Sequence, residues 1–266
     1  RNTGSLARTA DRLVPYRFAE GAGARMRVAA IRPRPDQIAE LTRGLYLPLP
    51  EVSNDHLEVI AESLLRAFSD VRTHSPSTVA SGTEAEITAL MEARLNTMIE
   101  QDPLWGQLVL CVTRGKESLS FDGSHLEKRP DLSIYLSNRN RGFPLIIEAK
   151  IVDATTSKTE ALYCDKGIRR FVEGEYAWGN REAFMVAYVR DGSSIGTKLT
   201  PFLSSAMLET PPGYLIEVLP NAVSAFSTDL AHSRHGRSFV YVGHSSPNIE
   251  PGPISVWHLW LSCLEP

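Results

Sequence analysis

The sequence has few cysteines and no long hydrophobic run. Its three cysteines, Cys111, Cys164 and Cys263, are far apart and form no C-x-x-C pair. This excludes a zinc ribbon and is typical of a reduced, intracellular protein. No apolar run approaches the roughly 18 residues that suggest a membrane span, and the first residues lack the apolar core of a signal peptide. We therefore expect a cytoplasmic protein with no membrane partner.

The chain also lacks a strong net charge and several familiar catalytic motifs. Its 28 Lys and Arg against 31 Asp and Glu give a net charge of -3, so no basic field covers the whole surface. No G-x-x-x-x-G-K-[ST] phosphate loop, G-x-S-x-G elbow or H-E-x-x-H pair is present, which argues against those hydrolase classes. Any nucleotide-driven motor or sensor would have to be a partner subunit.

The sequence has the composition of a globular protein, and its N-terminal segment is basic. The 266 residues, 42% of them hydrophobic, suit one elaborated domain. We assign residues 1–52 to an arm rich in Pro, Gly and Arg, with one strand near residues 26–31, and residues 53–266 to the domain. The first 34 residues have a net charge of +6, which suits either a partner-docking surface or phosphate contacts. Their charged residues are Arg1, Arg8, Asp11, Arg12, Arg17, Glu20, Arg25, Arg27, Arg32 and Arg34.

Hydrophobic periodicity predicts an alternation of helices and strands. Helices are predicted from residue 54 or 55 to beyond 68, over 83–101, over 161–176 and over 198–208. Their core-facing positions include Leu57, Ile60, Ala61, Leu64, Leu65 and Phe68, then Ile87, Leu90, Met91, Leu95 and Met98. Strands are predicted over 104–112, on both sides of a turn at 138–142, and over 184–189, 214–219, 239–242 and 254–261. Residues 75–81 and 113–128 are predicted to be loops.

The stretch from residue 129 to 152 carries the strongest chemical signal. Asp131 begins one apolar run, and Glu148 and Lys150 lie in the middle of the next, on the same face of a strand. Burying a carboxylate and an ammonium costs several kcal/mol unless each finds a partner or a metal ion. If the two runs pair as a hairpin, the three side chains converge. Such a patch suits a divalent cation.

Pro130 and Asp131, followed after sixteen residues by Glu148, Ala149 and Lys150, resemble the motif of the PD-(D/E)xK nuclease superfamily. The resemblance covers about residues 83–191. It implies an α/β, restriction-endonuclease-like αβββαβ core with a mixed central sheet flanked by helices. Residues 1–52 and a C-terminal extension, 193–266, would be elaborations of that core.

Many nucleases of this kind also take a carboxylate from the first helix of the core. At about 100° per residue, Glu84 falls on the apolar face of that helix and Glu86 falls well away from it. Glu86 is also three residues after Thr83, the position of a capping box. We favour Glu84 over Glu86 and leave the alternative open, since either acid would also interact with the helix dipole.

The oxygen donors predict the metal and the roles of the residues around it. Asp131, Glu148, Glu84 and the backbone carbonyl of Ala149 are expected to hold Mg²⁺ or Mn²⁺, and zinc is not expected. Lys150 would orient or deprotonate the attacking water. The resulting activity would be phosphodiester hydrolysis.

A second string, residues 167–177, resembles a G-x-x-R-F-x-x-G-x-Y-A pattern of bacterial nuclease-like proteins, several of which belong to defence systems. Arg170, with Arg169 beside it, is the candidate for binding a substrate phosphate. The alternative is that Arg170 pairs with Glu173 or Glu175 on a solvated face. Tyr163 and Tyr176 are expected to be packing residues.

Three histidines belong to no such motif. His232 and His235 have a spacing that suits a metal on a helix, but the segment resembles a loop without a third ligand. His258 lies in an apolar run and is expected to be a core residue. We expect no metal at these histidines.

These features predict a Mg²⁺-dependent endodeoxyribonuclease acting on DNA rather than RNA. The resemblance implies bacterial defence against phage or plasmid DNA as the setting of this activity, with an NTPase or sensor subunit as a partner. The sequence leaves the oligomeric state open. One alternative is a catalytically silent nucleic-acid-binding or adaptor subunit with the same fold. Another is an ordinary α/β domain with an intrastrand Glu–Lys ion pair.

Overall fold

The computed structural model of the chain describes residues 35–117, 119–122, 129–223, 230–241 and 249–264. The basic segment 1–34 and the strand predicted near residues 26–31 lie outside these ranges. The described part is an α/β fold with one seven-stranded mixed sheet flanked by helices, which confirms the predicted class. In these ranges we find no helix of the length and apolarity that crossing a membrane requires.

The elements follow one another in an order dominated by helices at first and by strands later. The helices are α1 (Pro35–Leu41), α2 (Asn54–His74), α3 (Pro76–Ser81), α4 (Glu84–Gln101), α5 (Pro103–Leu108), α6 (Glu160–Tyr163), α7 (Arg169–Val172) and α8 (Thr200–Met207). Wider π-helical turns, Cys164–Ile168 and Ile195–Leu199, lead into α7 and α8, and short 3₁₀ turns are formed by Ala154–Thr156 and Gly213–Leu215. The strands are β1 (Val109–Thr113), β2 (Leu132–Leu136), β3 (Leu145–Val152), β4 (Glu182–Val189), β5 (Ile216–Ala222), β6 (Leu230–His235) and β7 (Ile254–Ser262).

The strand order in the sheet is β1-β2-β3-β4-β7-β6-β5. β2 pairs antiparallel with both β1 and β3. β4 pairs parallel with both β3 and β7. β6 pairs antiparallel with both β7 and β5. The predicted hairpin of β2 and β3 is confirmed. Every residue of β3 and of β4 is buried, as expected for parallel strands covered on both faces.

Two hydrophobic layers hold the helices to the sheet. α2 and α4 pack on one face, where the predicted stripes are confirmed, with Leu65 and Leu90 only partly buried at their margins. The helical segment from α6 to α7 and helix α8 pack on the other face. Along β3 the side chains alternate between the layers, so Ile147 and Ala149 face α4 while Ile146 faces the opposite layer.

The predicted strand over residues 104–112 is wrong for residues 104–108 and confirmed for residues 109–112, which belong to β1. Its first part is helix α5, because Pro103 occupies the first turn and the Asp102 carboxylate accepts hydrogen bonds from the backbone N–H of Leu104 and Trp105. The loop predicted at 75–81 likewise contains helix α3, which also begins at a proline.

The predicted helix over 161–176 ends earlier, at Val172. Gly174 has φ of 74°, the left-handed conformation that terminates helices, and the backbone N–H of Glu175 donates to the carbonyl of Arg170. A side chain at Gly174 would also meet the rings of Phe239 and Phe121. Local sequence therefore stops the helix four residues before the predicted end.

The C-terminal strands extend the sheet as predicted, with two corrections. β6 was predicted to be a loop but pairs with β7 over its whole length, and its polar side chains find partners inside the fold. No strand forms over residues 239–241, and residue 242, the end of that predicted strand, is outside the described ranges. The strands predicted at 214–219 and 254–261 are confirmed as β5 and β7.

Residues 38–52 lie against the domain. Ile38 and Leu49 are buried with Phe143 and Trp178 in a small third cluster. The backbone N–H of Leu49 donates to the carbonyl of Gly179.

A buried ion pair joins this segment to the hairpin turn. Glu182, at the start of β4, accepts from the backbone N–H of Val52 at 3.2 Å and from Arg139 at 3.5 Å. Arg139 also donates to the carbonyl of Pro50. Burial raises the pKa of Glu182 to about 7 despite the nearby Arg139 charge.

This raised pKa predicts a pH-dependent stability. Glu182 is neutral in both states below about pH 4.5. Between about pH 4.5 and 7 the carboxyl ionises in the unfolded chain but stays protonated in the folded protein, so stability falls as pH rises, and it levels off above about pH 7, where both states are ionised. Relative to Glu182→Gln, the unfolding free energy of the wild type should fall by up to roughly 3 kcal/mol across that window. Urea denaturation of both proteins from pH 4.5 to 8 measures the difference, and a difference independent of pH would contradict the prediction.

A tight approach between α4 and α5 predicts a second stability effect. A Cβ added at Gly106 would lie 2.4 Å from the backbone carbonyl oxygen of Ile99, which cannot rotate away. Gly106→Ala should therefore lower the unfolding free energy by about 1–3 kcal/mol. Gly196→Ala, where nothing lies within 4 Å of the added atom, is the control and should leave the melting temperature unchanged.

Candidate active site

The candidate site lies where β3 continues beyond the end of β2. The register of the two strands ends with Leu132 opposite Ile147, so β3 has no strand partner on that edge from Glu148 onward. The backbone N–H of Ala149 instead donates to Asp131 Oδ2 at 2.7 Å, and that of Ile151 donates to Glu84 Oε2 at 3.0 Å. Two carboxylates thus replace the missing strand.

The ammonium of Lys150 lies among three carboxylates. Its Nζ is 2.7 Å from Glu148 Oε1, 3.2 Å from Glu84 Oε1 and 3.6 Å from Asp131 Oδ2. It also donates to the carbonyl oxygen of Ala149. We call Glu84, Asp131, Glu148 and Lys150 the carboxylate cluster. The structure therefore brings together all four side chains that the sequence predicted for the catalytic centre.

Glu148 is the most deeply buried member of the carboxylate cluster, with 1% of its surface exposed. Its Oε1 accepts from Lys150 and, at 2.8 Å, from Arg170. Its Oε2 is buried and has no hydrogen-bond partner among the described residues. Burial, reinforced by the charge of Asp131, raises the pKa of Glu148 to about 8 in spite of the two cations.

The cluster is short of positive charge. Three carboxylates face Lys150 and Arg170, and Glu175 adds a further acid 3.8 Å from the Arg170 guanidinium. Burial raises the pKa of Glu84 as well, although Lys150 opposes it. For Lys150, burial favours the neutral amine, but the charges of Glu148, Asp131 and Glu84 outweigh it and raise the pKa. A bound cation would relieve this imbalance.

The donor set fits Mg²⁺ or Mn²⁺. Carboxylate and carbonyl oxygens are the ligands that these ions prefer, and the unpartnered Oε2 of Glu148 is a buried acceptor that an ion would satisfy. Among the described residues, however, no group of three or more His, Cys, Asp or Glu side chains is already arranged as ion ligands. Lys150 Nζ contacts all three carboxylates, so ion binding there requires the ammonium to move.

The two acids at the start of α4 have different positions. Glu86 accepts from the backbone N–H of Thr83 at 2.7 Å, and Thr83 Oγ1 accepts from the Glu86 N–H at 3.3 Å, which is a capping box. Glu84, a member of the carboxylate cluster, instead accepts from Lys150 Nζ and from the backbone N–H of Ile151. The helical-face argument therefore placed both acids correctly.

The string of residues 167–177 surrounds Glu148. A Cβ at Gly167 would lie 2.2 Å from Met185 Cε and 4.0 Å from Glu148 Cγ, so glycine allows this close approach. Arg170 donates to Glu148 and to the hydroxyl of Tyr176, and lies over the ring of that tyrosine. Tyr176 is thus more than a packing residue, and no sequence pattern signalled its contact with Arg170.

Arg169 is not brought to the carboxylate cluster. Its guanidinium is 2.8 Å from Asp165 and 3.9 Å from Glu173, and it lies over the ring of Tyr214. Arg170 is the one of the two that contacts the cluster.

Two of these histidines, His235 and His258, lie in a buried hydrogen-bonded chain. His235 Nδ1 bonds the carbonyl of Tyr214 at 2.9 Å, Ser233 Oγ bonds His235 Nε2 and His258 Nε2 at 2.7 Å each, and His258 Nδ1 bonds the Tyr163 hydroxyl at 2.9 Å. The Tyr163 hydroxyl also donates to the carbonyl of Met185 at 3.2 Å, so a carbonyl acceptor lies at each end of the chain. Burial lowers the pKa of His235 to about 4 and holds the pKa of His258 well below its usual range.

Comparison of the chain with models of protein families, with curated proteins and with solved structures finds no match.

The two acids of α4 predict opposite effects on stability. Glu86→Ala removes the capping box and should lower the unfolding free energy by about 1 kcal/mol. Glu84→Gln keeps an acceptor for the Ile151 N–H while removing one negative charge from the carboxylate cluster, so at pH 8 the unfolding free energy should stay level or rise. Chemical denaturation of both variants tests this, and the reverse order would contradict it.

Proposed function

We propose that the chain is a metal-dependent nuclease of the PD-(D/E)xK kind that hydrolyses phosphodiester bonds of DNA. The observation that carries the proposal is the convergence of Asp131, Glu148, Lys150 and Glu84 at one unpaired strand edge. Glu84 and Lys150 are 66 positions apart in the sequence, yet their charged atoms are in contact. A single intrastrand Glu–Lys ion pair does not account for Asp131 or for Glu84.

The order of elements supports a restriction-endonuclease-like core. Helix α4, strands β1, β2 and β3, the helical segment from α6 to α7, and strand β4 follow the αβββαβ order, with the short helix α5 inserted before β1. The antiparallel pairing of β2 with β3 and the parallel pairing of β3 with β4 put the carboxylate cluster at the edge of a central strand. β7, β6 and β5 then extend the sheet beyond β4.

Asp131, Glu148, Glu84 and the carbonyl of Ala149 would hold Mg²⁺ or Mn²⁺. When bound, the ion acts as a Lewis acid that stabilises charge on the phosphoryl group and the leaving oxygen. Hydrolysis requires a water oxygen to attack phosphorus while the P–O bond to the leaving group breaks.

Lys150 and Arg170 act on the water and the phosphate. In the present arrangement the raised pKa keeps Lys150 protonated, so it orients the water or a phosphate oxygen by donating hydrogen bonds. The side chain of Arg170 is about a quarter exposed, and its planar guanidinium is held in place by Glu148 and the hydroxyl of Tyr176. A guanidinium fixed in this way suits bidentate contact with a phosphate.

The rival proposal is a catalytically silent adaptor or nucleic-acid-binding subunit with the same fold. One observation favours it: the Lys150 ammonium already contacts all three carboxylates, as a structural counter-ion would. Salt-dependent binding of nucleic acid without metal-dependent cleavage would support this rival. Bacterial defence and a partner NTPase or sensor remain proposals that rest on the sequence resemblance. A cytoplasmic location remains a proposal that rests on the cysteine pattern.

A cleavage assay on plasmid DNA, linear DNA and RNA tests the nuclease proposal. We expect cleavage of DNA with Mg²⁺ or Mn²⁺ and none with EDTA. Lys150→Ala and Asp131→Asn should each lower the rate at least about a hundredfold, since they remove groups that act on the water or the ion.

The matched control is Glu86→Gln, which neutralises an acid on the same helical turn while keeping the capping position. Its cleavage rate should equal that of the wild type. Cleavage at the full rate by both Lys150→Ala and Asp131→Asn would sink the proposal. A metal-binding titration of the wild type beside Asp131→Asn then separates a silent subunit from an enzyme that awaits a partner.

A further inference from the structure

A cavity of about 390 Å³ lies beside the carboxylate cluster, within the size range of small-ligand sites. Helix α1 and residues of the β2–β3 hairpin line it, and residues 177–180 form another part of its wall. None of the roles described above uses this space.

The cavity lies near the candidate site along the sheet. Pro130, adjacent to Asp131, lines it, as do Ser133 and Tyr135 two and four residues further along the chain. On β3 its lining residue is Ile146, two residues before Glu148. Two strand residues span about 7 Å, which is about the length of one nucleotide. A ligand in the cavity can therefore belong to the nucleotide next to the one whose phosphate lies at the carboxylate cluster.

The walls of the cavity are aromatic. Tyr135, Phe143 and Trp178 line it and are each at least nine-tenths buried. Phe143 and Trp178 meet edge to face, with ring centroids 4.9 Å apart. Planar π-systems bind on such surfaces, and stacking of a nucleobase on an aromatic side chain is tolerant of its sequence.

One buried polar group in the lining lacks a partner. Asn180 is 1% exposed, and its Nδ2 donates to the carbonyl of Pro144 at 2.7 Å. Because that carbonyl can only accept, the amide nitrogen must face it, which leaves Oδ1 as the free atom. Asn180 Oδ1 has no hydrogen-bond partner among the described residues. A ligand with an N–H donor in its ring plane would satisfy it.

The mouth of the cavity is basic. Lys116 and Arg141 are exposed lining residues with no ion-pair partner among those described, and Lys116 Nζ is 5.0 Å from the centroid of the Tyr135 ring. Glu117, the acidic residue of the lining, is paired with Arg129 at 2.7 Å. A negatively charged backbone would therefore be attracted to the rim.

We propose that this cavity binds an unpaired nucleobase of the substrate strand, adjacent to the phosphate at the carboxylate cluster. The inference rests on the proposed nuclease function and specifies its substrate: single-stranded DNA, or duplex DNA from which one base has left the stack. A base stacked and paired in a duplex cannot reach aromatic rings that are at least nine-tenths buried. The preference would come from stacking and from one N–H donated to Asn180.

Binding measured in EDTA tests the inference without cleavage. The probes are a short dye-labelled DNA duplex with one extrahelical 2-aminopurine nucleotide, the same duplex with an abasic residue at that position, and the fully paired duplex. We expect the extrahelical base to bind at least about fivefold more tightly than the abasic site. The 2-aminopurine fluorescence should be quenched in the complex as the base stacks on the rings.

Two variants and one control locate the base. Asn180→Ala removes the acceptor, and Ser133→Met fills the cavity from β2. Each should reduce the preference for the base over the abasic site, and thermal melting establishes that each remains folded. Lys198→Gln, which removes a positive charge from an exposed residue outside the lining, should leave the preference unchanged.

The outcomes separate this inference from the nuclease proposal. A base preference that is lost in either folded variant supports the cavity as the base site, whether or not the cleavage assay is positive. Equal affinity for the extrahelical base, the abasic site and the paired duplex overturns the inference, even if cleavage of DNA is observed. A preference that survives in both variants overturns it as well.

Discussion

The whole candidate site depends on one unpaired strand edge. β3 is three residues longer than β2, and backbone N–H groups of a buried strand must find acceptors. Asp131 and Glu84 supply them to Ala149 and Ile151, which fixes both carboxylates beside the strand that carries Glu148 and Lys150. The same hydrogen bonds therefore complete the sheet and assemble the charges, so chain folding and site geometry are not separable here.

The charges at that edge are balanced only in part. Lys150 and Arg170 are both directed at Glu148, yet one oxygen of that carboxylate has no partner among the described residues. Such an arrangement stores unfavourable electrostatic free energy in the folded state, which is common where a site is built for a charged ligand. The helical segment after β3 supports this arrangement: Gly167 lets it approach Glu148, and Tyr176 holds Arg170 in place.

Local patterns foresaw the parts of the structure that depend on near neighbours. The β2–β3 hairpin, the stripes of α2 and α4, and the different positions of Glu84 and Glu86 all follow from spacing of two or 3.6 residues. Helix α5 was missed because its apolar residues also suit a strand, and Asp102 and Pro103 decided between the two. β6 was missed because its histidines and serine are polar. Their partners lie on β7 and in the turn before β5, which no local pattern reveals.

The buried histidine chain also constrains how the C-terminal strands can pair. Ser233 and His235 face the same side of β6, toward His258 of β7 and Tyr163. A slip of β6 by one residue would turn both side chains to the other face of the sheet. His258 would then lose its hydrogen bond with Ser233. Four polar groups in an otherwise apolar layer thus select one alignment among those that hydrophobic pairing alone would permit. The buried polar groups therefore fix the register of β6 against β7.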